Sequence, residues 1–386
     1  MKPEVVLFVD APQHFRIAAV LRDALADRAA VTLLASLPVP TSYRAGADAQ
    51  VPAPMLAPAF AAWSRPLRLL FRGWWTTRRL HHRLQALAAA SVAPVRIVVF
   101  SDTGIPQRWL IAQARARGWT PVLVQDGLTE TQHREGGLAF HLKQRLTAWI
   151  LAPLGLRHWG TTRYGTAGAS IVLADGPPAA AFFQARAPSA RVIAVGLLRP
   201  GPPQTLANAA PWLLFWAVDF LGGLGNRALH ELQLRMIDEL AVALAASPHP
   251  VRLCVRLHPG DSAHFGEYRQ RLASLDGVDL SDPSQAPEPF AAGRPLLSLS
   301  LQSAGVFDAL AAHVPSYFLC APGDMLAPAW TPAKLLLQDA AGCISLAVRL
   351  LQGTTQAHEL WHAQVEELQD RLRIPFDADV IRAALG

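Results

Sequence analysis

Short runs that are apolar at nearly every position, each closing on a small or acidic residue, constrain this chain more than any other feature. Val5–Val9 ends at Asp10, Arg96–Phe100 in Ser101-Asp102, and Val122–Val124 in Gln125-Asp126-Gly127. Ile171–Ala174 ends in Asp175-Gly176, and Val192–Val195 in Gly196. A strand apolar on both faces must be covered on both. Helical patterns between the runs, from about Phe15 to Arg28 and from Pro106 to about Arg117, supply that cover. Such alternation is the mark of a parallel sheet between helical layers. Val31–Ala35 reads as a further strand. Gly201–Ala210, with Pro202 and Pro203, interrupts the pattern as a linker would. A second series then begins. Leu213–Val218, Val251–Leu257, Pro295–Leu301 and Ser316–Leu319 read as strands. Arg227–Ala246, Ala304–His313 and a charged tail from about Ala357 to Leu372 read as helices. A length of 386 residues exceeds what one core usually supports. The expected architecture is α/β, with doubly wound domains at 1–205 and 206–386.

Composition narrows the class. With 51% hydrophobic residues the chain is not mainly disordered. Lys plus Arg total 35 against 29 for Asp plus Glu, a net charge of +6 that suits anionic partners. Cys254, Cys320 and Cys343 are widely spaced in apolar surroundings, giving neither a disulfide framework nor a zinc site. They read as free thiols in a reducing compartment. Met1-Lys2-Pro3-Glu4 leads straight into an apolar strand without the pattern of a signal peptide. Leu146–Leu156 and Ala209–Leu221 are shorter than a bilayer span. A cytoplasmic location is expected, with at most attachment to the inner membrane surface.

In doubly wound sheets ligands gather beyond the carboxyl ends of the strands, so polar residues there are the candidates for chemistry. In Arg256-Leu257-His258-Pro259 the first and third residues project to one side of a strand end, and Pro259 stops the ladder. A guanidinium beside an imidazole suits a phosphate, although a turn histidine next to a surface arginine has the same spelling. Ser298 and Ser300 share a strand face, and Ser303 stands where the next helix begins. That place suits a helix cap and a phosphate alike. Asp126 lies in a tight turn with Gly127, where a carboxylate could take a proton from an attacking hydroxyl or simply stabilise the turn. Asp10, Asp102 and Asp175 occupy comparable ends, with Asp10 and Asp102 as candidates on the acceptor side. Gly222, Gly223 and Gly225 form a loop between strand and helix, lacking the Lys-Ser/Thr of a P-loop. It reads as a phosphate cradle or as a flexible loop. No His or carboxylate pair at ligand spacing stands out, and a metal-free site is expected.

Taken together, Asp126-Gly127, then Arg256-Leu257-His258-Pro259, then Ser298-Leu299-Ser300 with Ser303 resemble, in order, the motifs of bacterial sialyltransferases. These are two-Rossmann-domain, or GT-B, glycosyltransferases, and Kdo transferases and teichoic-acid polymerases are more distant relatives by pattern. Ser298–Pro315 resembles the family's donor-site strand and helix, with Asp308 where many relatives have Glu. Gln125 departs from the pattern, because relatives often have a second acidic residue there. The resemblance implies two domains facing across a cleft and a nucleotide-sugar donor, with CMP-linked Kdo or sialic acid expected. It implies a glycan or glycolipid acceptor in capsule or lipopolysaccharide assembly, and no separate cofactor. Asp126 would be the catalytic carboxylate. His258 would act on the leaving phosphate, aided by Arg256, Ser300 and Ser303. A UDP-sugar or CDP-polyol transferase, a nucleotide-sugar epimerase and a non-catalytic scaffold are the alternatives.

Ser64–Leu84 interleaves Arg65, Arg68, Arg72, Arg78, Arg79 and Arg83 with Leu67, Leu70, Phe71, Trp74 and Trp75. His141–Tyr164 is a second basic, aromatic run. Such segments suit an anionic membrane surface, or a helix that buries its Trp and Leu and turns its Arg to water. Nucleic acid is not expected as a partner, since no recognised binding module accompanies the charge.

Overall fold

The computed structural model describes residues 2–39, 49–50, 65–127, 142, 149, 164–199, 211–221, 226–258, 265–273, 275–281, 294–321, 326–352 and 354–386. They fall into two compact units. The first holds the described residues up to Arg199 together with Pro375–Gly386, and the second holds the rest.

In the first unit the strands are β1 (Glu4–Val9), β2 (Ala30–Ala35), β3 (Ala49–Gln50), β4 (Val95–Val99), β5 (Thr120–Val124), β6 (Ile171–Ala174) and β7 (Arg191–Ala194). They pair in the order β3-β2-β1-β4-β5-β6-β7. Every pairing is parallel. The helices α1 (Pro12–Leu25), α2 (Arg65–Ala90), α3 (Ile105–Ala116) and α4 (Pro177–Arg186) supply the cover. Both faces of β1 are used: Val5, Leu7 and Val9 enter one core cluster with α1, while Val6 and Phe8 enter another with α2 and α3. Burial on both sides is why this strand is apolar throughout.

The second unit repeats the plan with β8 (Trp212–Trp216), β9 (Arg252–Arg256), β10 (Val278–Ser281), β11 (Leu297–Ser300), β12 (Ser316–Leu319) and β13 (Leu336–Leu337). Their order is β10-β9-β8-β11-β12-β13, again parallel. Its helices are α5 (Arg227–Ala245), α6 (Phe265–Leu272), α7 (Gly305–Ala311), α8 (Ala340–Gln352) and α9 (Thr354–Leu368). Asn226 caps α5 by accepting a hydrogen bond from the Leu229 amide at 3.1 Å.

The last helix, α10 (Ala378–Leu385), departs from the expected division at 205/206. It belongs to the first unit, because Ile381, Ala384 and Leu385 lie in the same core cluster as Phe15, Leu21 and Leu25. The Asp377 amide donates to the Val195 carbonyl at 2.8 Å, and Arg382 Nε to the Ala24 carbonyl at 3.0 Å. The expected linker at 201–210 lies outside the described residues, as do Pro259, Gly222, Gly223 and nearly all of the second basic run. Cys320 and Cys343 are buried, Cys254 is half-buried, and all three are free thiols. Burial pushes the Cys343 thiol up to about 12 and Cys254 to about 11, which leaves both unreactive at neutral pH. Among the described residues no helix is long and apolar enough to cross a membrane.

Candidate functional site

Parallel pairing brings the ends of β1, β4, β5 and β6 to one edge of the first sheet, so Asp10, Asp102, Asp126 and Asp175 all reach the same edge. They do not share one environment. Asp10 and Asp126, at the ends of strands separated by β4, are joined through His14. His14 sits in the first turn of α1, where Pro12 starts the helix. Its Nε2 lies 2.8 Å from Asp126 Oδ2, and its Nδ1 lies 2.9 Å from Asp10 Oδ1. The first contact is an aligned hydrogen bond and the second a close ionic approach. The Phe100 ring lies 5.0 Å from the imidazole, centre to centre, and His14 is only 2% exposed. Such burial by itself disfavours a charged imidazole. The two carboxylates outweigh it, and the pKa rises to about 9. At neutral pH the imidazole is therefore protonated. Each carboxyl side chain keeps about a fifth of its surface open, 22% for Asp10 and 20% for Asp126.

The surroundings fix Asp126. Tyr164 donates its phenolic proton to Asp126 Oδ1 at 3.2 Å and accepts from the Asp126 amide at 3.1 Å. Burial and the Asp126 charge push the phenol well above its ordinary value, so it remains a donor. Arg199 Nη2 donates to the Asp126 carbonyl at 3.3 Å. On the other side Gln107 of α3 donates to Asp10 Oδ2. Gly127 leaves open space beside Asp126, since a Cβ there would meet nothing within 4 Å. The departure at Gln125 also has a local reason. Its buried amide accepts from the Asp175 amide at 2.9 Å and donates to the Gly127 carbonyl at 2.8 Å, tying the end of β5 to that of β6.

Asp102, expected on the acceptor side, has another task. It is fully buried and accepts from the amides of Gly165 and Ala167, both at 2.8 Å. Burial raises its pKa against those two bonds and the Arg108 charge. Fully buried, it anchors the segment that carries Tyr164.

In the second unit, Arg256, Trp216 and Ser300 stand in register across the ends of β9, β8 and β11. The Arg256 guanidinium carbon lies 5.7 Å from the centre of a Trp216 ring, a cation–π arrangement. Trp216 Nε1 donates to Ser298 Oγ at 2.8 Å. Ser300 Oγ donates to the Trp216 carbonyl at 2.8 Å and accepts from the amides of Gln302 and Ser303 at 3.2 and 2.9 Å. Both serines are fully buried with their hydroxyls engaged inside the protein. These bonds shape the turn after β11. Ser303 is half-buried, and its Oγ accepts from the Gly305 amide at 3.1 Å. It folds the turn before α7 without acting as the helix cap. Gly305 has no alternative, because a Cβ there would stand 2.3 Å from the Trp216 ring. His258, just past β9, is open to solvent, yet the protein around it lowers its pKa, opposed by the charge of Asp219.

No family model matches the sequence, and no curated protein sequence does. Solved structures do. A UDP-glucosyltransferase from Polygonum tinctorium is similar over 100% of this chain and 98% of its own, with 14% identity and a TM-score of 0.54. MnaA of S. aureus with UDP is similar over 99% and 94%, with 12% identity and a TM-score of 0.57. UDP-GlcNAc 2-epimerase from Neisseria meningitidis, bound to UDP-GlcNAc, is similar over 99% and 98%, with 11% identity and a TM-score of 0.55.

The fold is GT-B. At such identities the likeness is one of fold, and GT-B proteins among these neighbours include both sugar transferases and sugar epimerases. His14 and Tyr164 escaped the sequence reading. Only Asp10 and His14, four apart across a strand end and the first helical turn, offered a local signal.

Proposed function

We propose that the chain is a nucleotide-sugar enzyme that moves a sugar from a UDP-linked donor to an acceptor hydroxyl. The Asp10–His14–Asp126 cluster carries this reading. A buried imidazolium held between two partly open carboxylates, on the ligand-binding edge of a GT-B sheet, suits proton transfer more than it suits packing. Asp126 takes the acceptor proton through its solvent-open side. His14 orients it and offsets its charge. In the second unit Arg256, His258 and the Ser303–Gly305 turn are assigned to the nucleotide phosphates, with Pro259, Gly222 and Gly223 as the adjoining candidates from sequence. UDP is preferred over the CMP donor implied by the motifs, because the similar structures whose names mention a nucleotide name UDP. A thermal-shift panel of UDP, CMP, CDP and GDP tests this, with stabilisation by UDP expected. Stabilisation by CMP alone would restore a Kdo or sialic acid donor.

A second reading, epimerisation of UDP-GlcNAc, is favoured by the similarity to the UDP-GlcNAc 2-epimerase above. It requires turnover of UDP-GlcNAc with no acceptor present, whereas a transferase requires one. The acceptor is proposed to be a glycan or glycolipid at a membrane surface. In α2 the exposed Trp74 lies under Arg78 and the half-buried Trp75 under Arg79, at 5.7 and 5.2 Å, while Leu80 and Leu84 are fully buried. The segment has a buried apolar face and an outward cationic one, and the exposed Trp74 on the outward side supports the surface reading. Arg78→Glu with Arg79→Glu should release the protein from anionic vesicles; unchanged retention would make the segment purely structural.

A further inference from the structure

Helix α9 carries two histidines that the proposed reaction does not use. His358 and His362 are four residues apart and exposed on the same helical face. Their Nε2 atoms lie 2.9 Å apart, with the ring planes at 83°. Without a metal, that contact needs one ring nitrogen protonated and the other bare, so only one lone pair is used well. A metal ion would use both.

The spacing is selective. Two nitrogens bound at ~2.0 Å and 90° to one another stand about 2.8 Å apart, whereas tetrahedral ligands stand about 3.3 Å apart. The observed separation matches the 90° arrangement of Cu(II) or Ni(II). The helix face is also held in place. Trp361, between the two histidines in sequence, is buried and donates its Nε1 proton to the Leu310 carbonyl at 2.8 Å. It stacks on His358 at 5.7 Å and 24°, and lies 4.6 Å from His362, centre to centre. His313 packs on Trp361 as well, at 4.2 Å and 34°. Burial and the nearby Arg294 lower the His313 pKa.

We propose that His358 and His362 form a two-imidazole site for a divalent first-row transition metal, with Cu(II) and Ni(II) preferred over Zn(II). Solvent completes the coordination. The residues from His358 to His362 also have the H-E-x-x-H spacing of zinc hydrolases, which corrects the reading that no His pair at ligand spacing stands out. Among the described residues, however, no group of three or more His, Cys, Asp or Glu is placed to hold a metal. The site is therefore one of binding, not hydrolysis.

The test uses the whole chain in a non-chelating buffer. Equilibrium dialysis against CuCl2 should load the parent with one more ion than the His358→Gln, His362→Gln double variant. The electron paramagnetic resonance of that extra Cu(II) should show two imidazole nitrogens. Either single substitution should abolish the two-nitrogen signal, and His313→Gln should keep it. Because both side chains are exposed, the variants should melt with the parent in EDTA, and NiCl2 should raise the melting temperature of the parent alone. Equal copper uptake by parent and double variant would overturn the site. Stronger stabilisation by ZnCl2 than by CuCl2 or NiCl2 would overturn its geometry.

Discussion

The two sheets share a topology and differ at the edge where ligands gather. In the first, charged groups are in direct contact: Asp10 and Asp126 grip a protonated His14. In the second, the strand ends are closed by neutral hydrogen bonds among Ser298, Ser300 and Trp216, with the Arg256 charge laid over an indole. One edge holds an imidazole between two carboxyl groups. The other is tied by neutral bonds around an indole that faces a guanidinium. One doubly wound plan thus carries two kinds of strand end, set by the residue types found there.

The largest effect expected from breaking this contrast is on turnover. Asp126→Asn keeps the shape of the first edge but removes its charge. The rate should fall by about 10²–10⁴, the usual worth of a positioned base. UDP-induced thermal shift should be unchanged, since the nucleotide is assigned to the other unit. Near-parental turnover would reduce Asp126 to a turn residue.

Next comes stability against pH. His14 has a folded pKa of about 9 against an ordinary 6.5. Its stabilisation is therefore fully present below about pH 6.5 and is lost as pH rises through about 9. The amount is on the order of 3 kcal/mol. Urea titrations at pH 6, 8 and 10 should show parent stability falling toward that of His14→Gln. Parallel curves for the two proteins would deny the imidazolium. No comparable pH-dependent loss should follow changes at Ser298 or Ser300, whose contacts are neutral.

Packing rather than charge should dominate the second edge. Gly305→Ala drives a methyl into the Trp216 ring and should cost about 1–3 kcal/mol in urea denaturation. Pairing it with Trp216→Leu should recover part of that cost. The smallest effect belongs to Ser303→Ala, which loses one bond to the Gly305 amide, about 1 kcal/mol. A much larger drop in UDP affinity than in stability would give Ser303 back a role in holding phosphate.

The fold was legible because burial on both faces makes a parallel strand conspicuous, as β1 and β5 show. Asp10 and Asp126 were legible because they end such strands. His14 was hidden because its decisive partner is 112 residues away, and Pro12-Gln13-His14 reads locally as an ordinary helix start. Ser298 and Ser300 were legible only in part for a related reason. Strand alternation shows that two residues share a face, but not that an indole covers it. Tyr164 carried no pattern of its own, and the bonds of Asp102 to Gly165 and Ala167 join segments more than sixty residues apart.

The return of α10 to the first unit has a consequence for synthesis. Ile381, Ala384 and Leu385 belong to the core that also holds Phe15, Leu21 and Leu25. Those early residues leave the ribosome long before their partners exist. The second unit, whose described residues end at Ile374, draws no core residue from α10. The first unit, though its strands come first in the chain, lacks part of its core until α10 is added. A chain truncated after Ile374 should hold a protease-resistant second unit and an unfinished first one.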